Sequence, residues 1–376
     1  MYFYSSKKLM MKNLFGIVLV LLFWNAKAQQ NKNLIVGTYT NSCESKGIYV
    51  YGFNTETADF RFKNSTEKVI NPSFVSVSED RKFVYSVNEN GKESTISAFQ
   101  FDTKTGVLDF INKQNSAGAD PCYLINDGQN VIAANYSGGN IAVFKKNPNG
   151  SLTEAKQVIR HKGYSINVKR QEAPHVHMVK FSPDKKFLLA TDLGTDRIYL
   201  YRYDAKSEKN MLQFKDTIAI KTGSGPRHLT FSPDGKFVYL LQELDGTLTV
   251  FDYLNGKFQL IQETTVVHNN FKGETSAAAI KISEDGKFLY ATNRGEANTI
   301  SLFEIETNGK LIHKKTIPTG GKGPRDFAIA PGGKFVLVAH QYSNDIVILN
   351  RNLTTGELTD SGKKMELCAP VNLVFE

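Results

Sequence analysis

At 376 residues, with 25 Phe and 16 Tyr, the chain is long and apolar enough to bury a sizeable core, which excludes a disordered protein. Its formal charge of +9 comes without a Lys/Arg tract or a basic helix, so nothing points to nucleic acid. Three cysteines, Cys43, Cys122 and Cys368, match no zinc or EF-hand spacing, and neither a metal centre, a cofactor nor a disulfide scaffold is expected.

The N-terminus reads as a secretory signal. Lys7, Lys8 and Lys12 precede the apolar run from Leu14 to Trp24, and Ala26-Lys27-Ala28 offers a small-residue cleavage site after Ala28. The run is short for a membrane anchor, so no stable membrane insertion is expected; Met11 is an alternative start. The leader, residues 1–28, carries four Lys and no acidic residue, so its loss leaves a mildly basic protein of charge +5. Residues 31–376 read as one domain, exported to the periplasm or beyond the cell and monomeric.

From there the chain repeats itself. A strand is expected over "NLIVGTYT" (Asn33–Thr40), then another at "KGIYVYGF" from Lys46. Hairpins of two apolar runs about a tight turn follow at Pro72 ("PSFVSVSEDRKFVYSVNE"), Pro121, Val176, Pro226 ("PRHLTFSPDGKFVYLLQE"), Ala278 and Pro324. After each comes a third strand, such as "STISAFQF" at Ser94 or "GTLTVFDY" at Gly246, and then a fourth, such as "GVLDFINK" at Gly106. The C-terminal "PVNLVF" (Pro370–Phe375) is a first strand without a successor. Four short strands recurring every 45–57 residues or about that predict an all-β, seven-bladed β-propeller. One blade is split between the chain ends, and its closure removes an open edge. A WD-repeat propeller does not fit, since the one Trp, Trp24, lies in the leader.

In such a ring the residue that starts strand one and the residue that ends strand two meet at one mouth of the central channel. The starting positions hold Ser73, Cys122, His177, Arg227, Ala278, Arg325 and Val371. Sixteen residues later come Glu89, Leu193 (with Asp192 beside it), Glu243, Arg294 and Gln341, and the shorter Cys122 copy supplies Tyr136. Three arginines, carboxylates and a histidine gathered on one rim suit an anionic molecule with ester-like chemistry. Salt bridging between blades is the competing role for Arg227 and Glu243. Strand alternation turns His175 to the face opposite His177, as a rim or structural residue, and turns His228 away from Arg227, packed between blades. Ser73 and Cys122 are nucleophiles in principle, but neither sits on a G-x-S-x-G elbow. His340, beside Gln341, is open between the two readings.

The ordered motifs "PHVHMVKFSPD", "GSGPRHLTFSPDGKFVYLLQEL", "LYATNRG" and "GKGPRDF" carry a resemblance to a known family. The chain resembles the seven-bladed propeller lactonases, which include the cycloisomerase-type 6-phosphogluconolactonases and the carboxymuconate-lactonising enzymes. The resemblance implies a metal-independent lactone hydrolase more than a muconate-type cycloisomerase, with His177, Arg227, Glu243 and Arg294 catalytic. In the family pattern Arg325 and Gln341 would be secondary, and the rim alignment adds Asp192, Glu89 and Tyr136 to the expected substrate site. In that reading Arg227 and Arg294 hold the substrate's anionic group and the developing oxyanion, His177 moves the proton, and Glu243 orients or acts as base. Arg227→Ala is expected to abolish turnover with the thermal transition nearly unchanged. The family's phosphorylated substrate is cytosolic, which conflicts with the leader and favours another lactone if export is real. The alternative function is an exported, non-catalytic propeller that binds a small anionic ligand or a protein. Cys43 and Cys368 both fall in the split blade, where a disulfide would pin the ring closure.

Overall fold

The computed structural model describes residues 31–267 and 270–376. The leader and its cleavage site therefore lie outside the described residues. Seven four-stranded antiparallel sheets form a ring of blades, and the only helical element among the described residues is a 3-10 turn at Gly91–Glu93. Blade one is the split one. Its inner strand is Pro370–Phe375, paired antiparallel to Asn31–Thr38, which pairs in turn with Ile48–Asn54. The inner strands of blades two to seven are Val75–Val77, Pro121–Asn126, Val176–Phe181, Pro226–Phe231, Ala277–Ile282 and Pro324–Ile329. Each is followed by three neighbours in chain order.

The sequence forms these sheets because β-branched and aromatic residues dominate strands one to three. Phe237–Gln242, for example, is buried through nearly its whole length, as a strand covered on both faces must be. The apolar core lies between blades, not along the axis. Ile132, Ala134 and Val143 of blade three pack on Val179, Leu188 and Ala190 of blade four, and equivalent clusters follow around the ring. Polar ties reinforce the packing. In three blades a tyrosine of the second strand, Tyr85, Tyr239 or Tyr290, donates its hydroxyl to the carbonyl of Gly150, Gly309 or Gly356 in the next blade, at 3.1, 3.0 and 2.6 Å.

One irregularity recurs. In blade four Val176 pairs with Asp192 but Met178 with Thr191, so His177 is an extra residue in the ladder. The same bulge falls at Cys122, Arg227 and Arg325, across Ala278 and Ala279, and at Val371 in the split blade. A bulge bends the strand and re-aims the side chain of its extra residue. Six of seven inner strands thus use one device to turn their first residue toward the channel mouth.

Candidate active site

Gly225-Pro226-Arg227 shows how the device is assembled. Gly225 adopts φ +67°, open to glycine at little cost, and its N–H donates to Asp196 Oδ1 of the preceding blade at 2.8 Å. Its carbonyl accepts from Glu243 N at 2.7 Å, which fixes the end of strand two against the start of strand one. Gly323-Pro324-Arg325 repeats the arrangement: Gly323 has φ +72°, its N–H donates to Asn298 Oδ1 at 2.7 Å, and its carbonyl accepts from Gln341 N at 2.9 Å.

Glu243 is the hub. Its Oε2 accepts from Arg227 Nε at 2.9 Å and lies 3.1 Å from Arg294 Nη2, while Oε1 accepts from Arg170 Nη2 at 2.7 Å. His177 Nε2 stands 3.7 Å from Oε2. Glu243, Arg227, Arg294 and His177 are all buried, and Arg227 is only 1% exposed. Burial works to raise the Glu243 carboxyl, but Arg294, Arg227 and Arg170 outweigh it and hold it at about 2. Burial, then Arg227, Arg325 and Arg294, drive His177 well below the usual imidazole range, so it is neutral at physiological pH. Arg227 also donates Nη1 to the Ala278 carbonyl.

A second group faces it across the mouth. Glu89 accepts from the Ser73 hydroxyl and, at 3.1 Å, from Tyr39 OH, and Arg325 lies over the Tyr39 ring at 5.4 Å. Burial raises the Glu89 carboxyl despite Arg325, Ser73 and Tyr39. Gln341 shares a polar recess of about 420 Å3 with Tyr39, Glu89 and Asp120, and its Oε1 has no hydrogen-bond partner among the described residues. The mouth therefore pairs one carboxyl lowered by its arginines with another raised by burial.

Tyr136 joins the first group. Its hydroxyl lies 3.2 Å from Arg170 Nη2, and its ring edges onto His177 at 5.4 Å and stacks on His175 at 4.5 Å. His175 thus sits at the rim behind the site. Arg170, on the loop before blade four, was not selected from the sequence. It has no counterpart at the repeat positions, so aligning blades could not find it.

Asp192 and His228 depart from expectation. Asp192 does not reach the mouth: it is fully buried, with Oδ2 2.7 Å from His161 Nδ1 and Oδ1 accepting from the N–H groups of His175, Gly194 and Thr195. It fastens blade four internally, because the true end of the hairpin is Leu193, whose N–H meets the His175 carbonyl at 2.9 Å. His228 does not face away from Arg227. The bulge breaks the alternation, and Arg227 Nη1 lies 3.3 Å from both His228 ring nitrogens inside the channel. Cys122 is no nucleophile, since burial and Glu89 push its thiol far up, and it stays protonated. His340 resolves to structure, fully buried with Nδ1 2.8 Å from Asp345 Oδ1.

Residues 33–375 match the model of a family described as lactonase, seven-bladed β-propeller. The chain belongs to that lactonase family. A 6-phosphogluconolactonase of Formosa agariphila is 35% identical over 86% of this chain and 94% of its own, and one of Bacillus subtilis is 31% identical over 90% and 97%. Among solved structures, a Bacteroides fragilis protein superposes with TM-score 0.90 at 41% identity, covering 93% of this chain and 99% of that one. The periplasmic gluconolactonase of Pseudomonas aeruginosa superposes with TM-score 0.88 at 34% identity, covering 92% and 99%. Among the described residues of this lactonase no helix is long and apolar enough to cross a membrane, and no cluster of three or more His, Cys, Asp or Glu could hold a metal.

Proposed function

We propose that this protein hydrolyses a sugar-type lactone, in the manner of a 6-phosphogluconolactonase, at the Arg/Glu/His cluster of the channel mouth and without a metal. The observation that carries the reading is Glu243 bound by three guanidinium groups, which pre-orients Arg227 and Arg294 in a buried site. Such fixed cations stabilise the oxyanion formed when water attacks the ring carbonyl, the task a Lewis-acidic metal would otherwise perform. Glu243 itself, held at about 2, is an orienter and a poor base.

Neutral His177 takes the proton from the attacking water, since one of its ring nitrogens is unprotonated at physiological pH. Collapse of the tetrahedral intermediate breaks the ring C–O bond, and the leaving alkoxide takes a proton from the Glu89 carboxyl, whose raised pKa suits it to donate. The imidazolium then returns its proton to Glu89 through solvent, and the site is restored. Arg325, Tyr136 and Gln341 hold the polyol. Export is part of the proposal. The periplasmic gluconolactonase relative and a Cys43–Cys368 disulfide both support an oxidising compartment, and with it a non-phosphorylated aldonolactone as the natural substrate.

The test is hydrolysis of glucono-1,5-lactone and of fresh 6-phosphogluconolactone by the purified protein, with spontaneous opening subtracted. Turnover is expected to fall roughly 100-fold or more in Arg294→Met and in His177→Gln, the cost of removing an oxyanion donor or a general base. No turnover above background on either lactone would refute the hydrolase and favour the binding-only alternative. Undiminished turnover in both variants would refute the site.

A further inference from the structure

Below the catalytic residues the channel continues to its opposite mouth. Three positions after each bulge or its equivalent, the inner strands carry Ser76, Ile125, Lys180, Thr230, Lys281, Ala328 and Val374, one per blade. Repeat geometry sets these seven at one level. Blades four, five and six therefore place Lys180, Thr230 and Lys281 side by side, and all three line a cavity of about 380 Å3 that is separate from the recess holding Gln341. That volume falls in the range of sites for small organic ligands, ~300–1,000 Å3.

Two lysines and two carboxylates line this cavity, with Glu284 exposed at its rim, and only one ion pair forms among them. Lys281 Nζ is 3.1 Å from Asp326 Oδ1, and the other oxygen of Asp326 is taken by Asn372 Nδ2 at 2.9 Å and by Leu373 N at 3.0 Å. Asp326 is thus spent. Lys180, part-buried beside them, makes no hydrogen bond or ion pair with any described residue. The Thr230 hydroxyl reaches only the Phe231 carbonyl, at 3.5 Å. Burial and then Lys281 lower the Lys180 ammonium from its ordinary value, as expected for a cation without a counter-ion. An unpaired cation among apolar walls is costly, and an anion seated on it offsets that cost. The walls are flat and aromatic. The Phe74 and Tyr123 rings lie 3.9 Å apart, His228 meets the Tyr123 edge at 5.2 Å, and Leu229 and Ile280 close the sides.

We propose that this cavity is a second ligand site, which takes a small aromatic carboxylate with its anionic head on Lys180 and the Thr230 hydroxyl and its ring against Phe74 and Tyr123. It shares no residue with the catalytic cluster, so it stands or falls apart from the lactonase reading. The probe is sodium benzoate, titrated into the purified protein by calorimetry near neutral pH, with sodium phosphate in parallel. One saturable benzoate site is expected, weakened roughly tenfold or more in Lys180→Met, as for loss of a charged hydrogen bond, and retained in Lys180→Arg. Lactone turnover should be unchanged in both variants. If Lys180→Met does not fold, Lys180→Gln replaces it. Absence of benzoate binding, binding of phosphate alone, or benzoate binding indifferent to loss of the Lys180 charge would each overturn the proposal.

Discussion

Arg227 illustrates how a site residue can also be a structural one. The sequence reading expects Arg227→Ala to leave the thermal transition nearly unchanged. In the fold Arg227 is fully buried, bonded to Glu243 and to the Ala278 carbonyl, so truncation strands a buried carboxylate and opens a cavity. Breaking a buried pair from one side costs about 3–5 kcal/mol, and urea denaturation of Arg227→Ala should show a loss of that size alongside the loss of turnover. A midpoint equal to wild type would overturn this. The two channel histidines make a separate prediction. His177 and His228 both have folded pKa values well below the ordinary 6.5, burial being the first cause and Arg227 the second. A depressed histidine means that the unfolded chain binds the proton and the folded one does not. Stability is therefore intact above about pH 6.5 and falls as pH drops below it, by about 1.4 kcal/mol per pH unit for each histidine. Denaturant midpoints from about pH 7.5 down to 5.5 should fall, and His228→Asn should remove part of that slope. A flat profile would count against the neutral state of both rings.

At the scale of the element, the turn-strand-bulge unit explains both what the sequence disclosed and what it hid. Strand order and blade count were legible because the apolar hairpin with its tight turn recurs six times, each copy followed by a third strand, and the predicted closing strand Pro370–Phe375 is the observed one. The meeting of Arg227 with Glu243 followed from the hairpin alone. The misses have a common cause in backbone irregularity that residue types do not announce. A bulge at Arg227 adds one residue, and the strict alternation used for His228 then fails by one position. In blade four the rim position is Leu193, as the spacing places it, and Asp192 beside it is drawn inward to cap the turn. Arg170 comes from a loop, where no period exists to be read. The unit also predicts its own weak point. In Gly225→Ala a Cβ would lie 2.7 Å from Leu244 Cγ and would force a left-handed conformation on an L-residue. A cost of about 1–2 kcal/mol is expected from the backbone alone. Because the Gly225 carbonyl holds Glu243 N, kcat should fall more than stability does. Unaltered kcat in a folded Gly225→Ala protein would show that the Gly-Pro-Arg turn does not position the site.

For the whole molecule the decisive feature is where the ring closes. Blade one is held by pairing across the two chain ends, Leu34 with Phe375 through Gly37 with Asn372, and Tyr39 N donates to the Ala369 carbonyl at 3.0 Å. Beside that seam Cys43 and Cys368 form a disulfide that joins residues 325 apart in sequence. The bond encloses almost the entire propeller, so its main effect is to restrict the unfolded chain, typically worth about 2–4 kcal/mol. It also bears on chemistry, because the same seam carries Tyr39, which underlies Arg325 and bonds Glu89. Reduction, or Cys43→Ser, should therefore lower the unfolding free energy by about that amount and the midpoint with it, and further reductant should have no effect on Cys43→Ser. Lactone turnover should decline at temperatures where the oxidised protein is still fully active, since fraying of blade one releases Tyr39 before the other blades open. Equal midpoints with and without reductant, with the thiols shown to be free after reduction, would mean that strand pairing alone seals the ring.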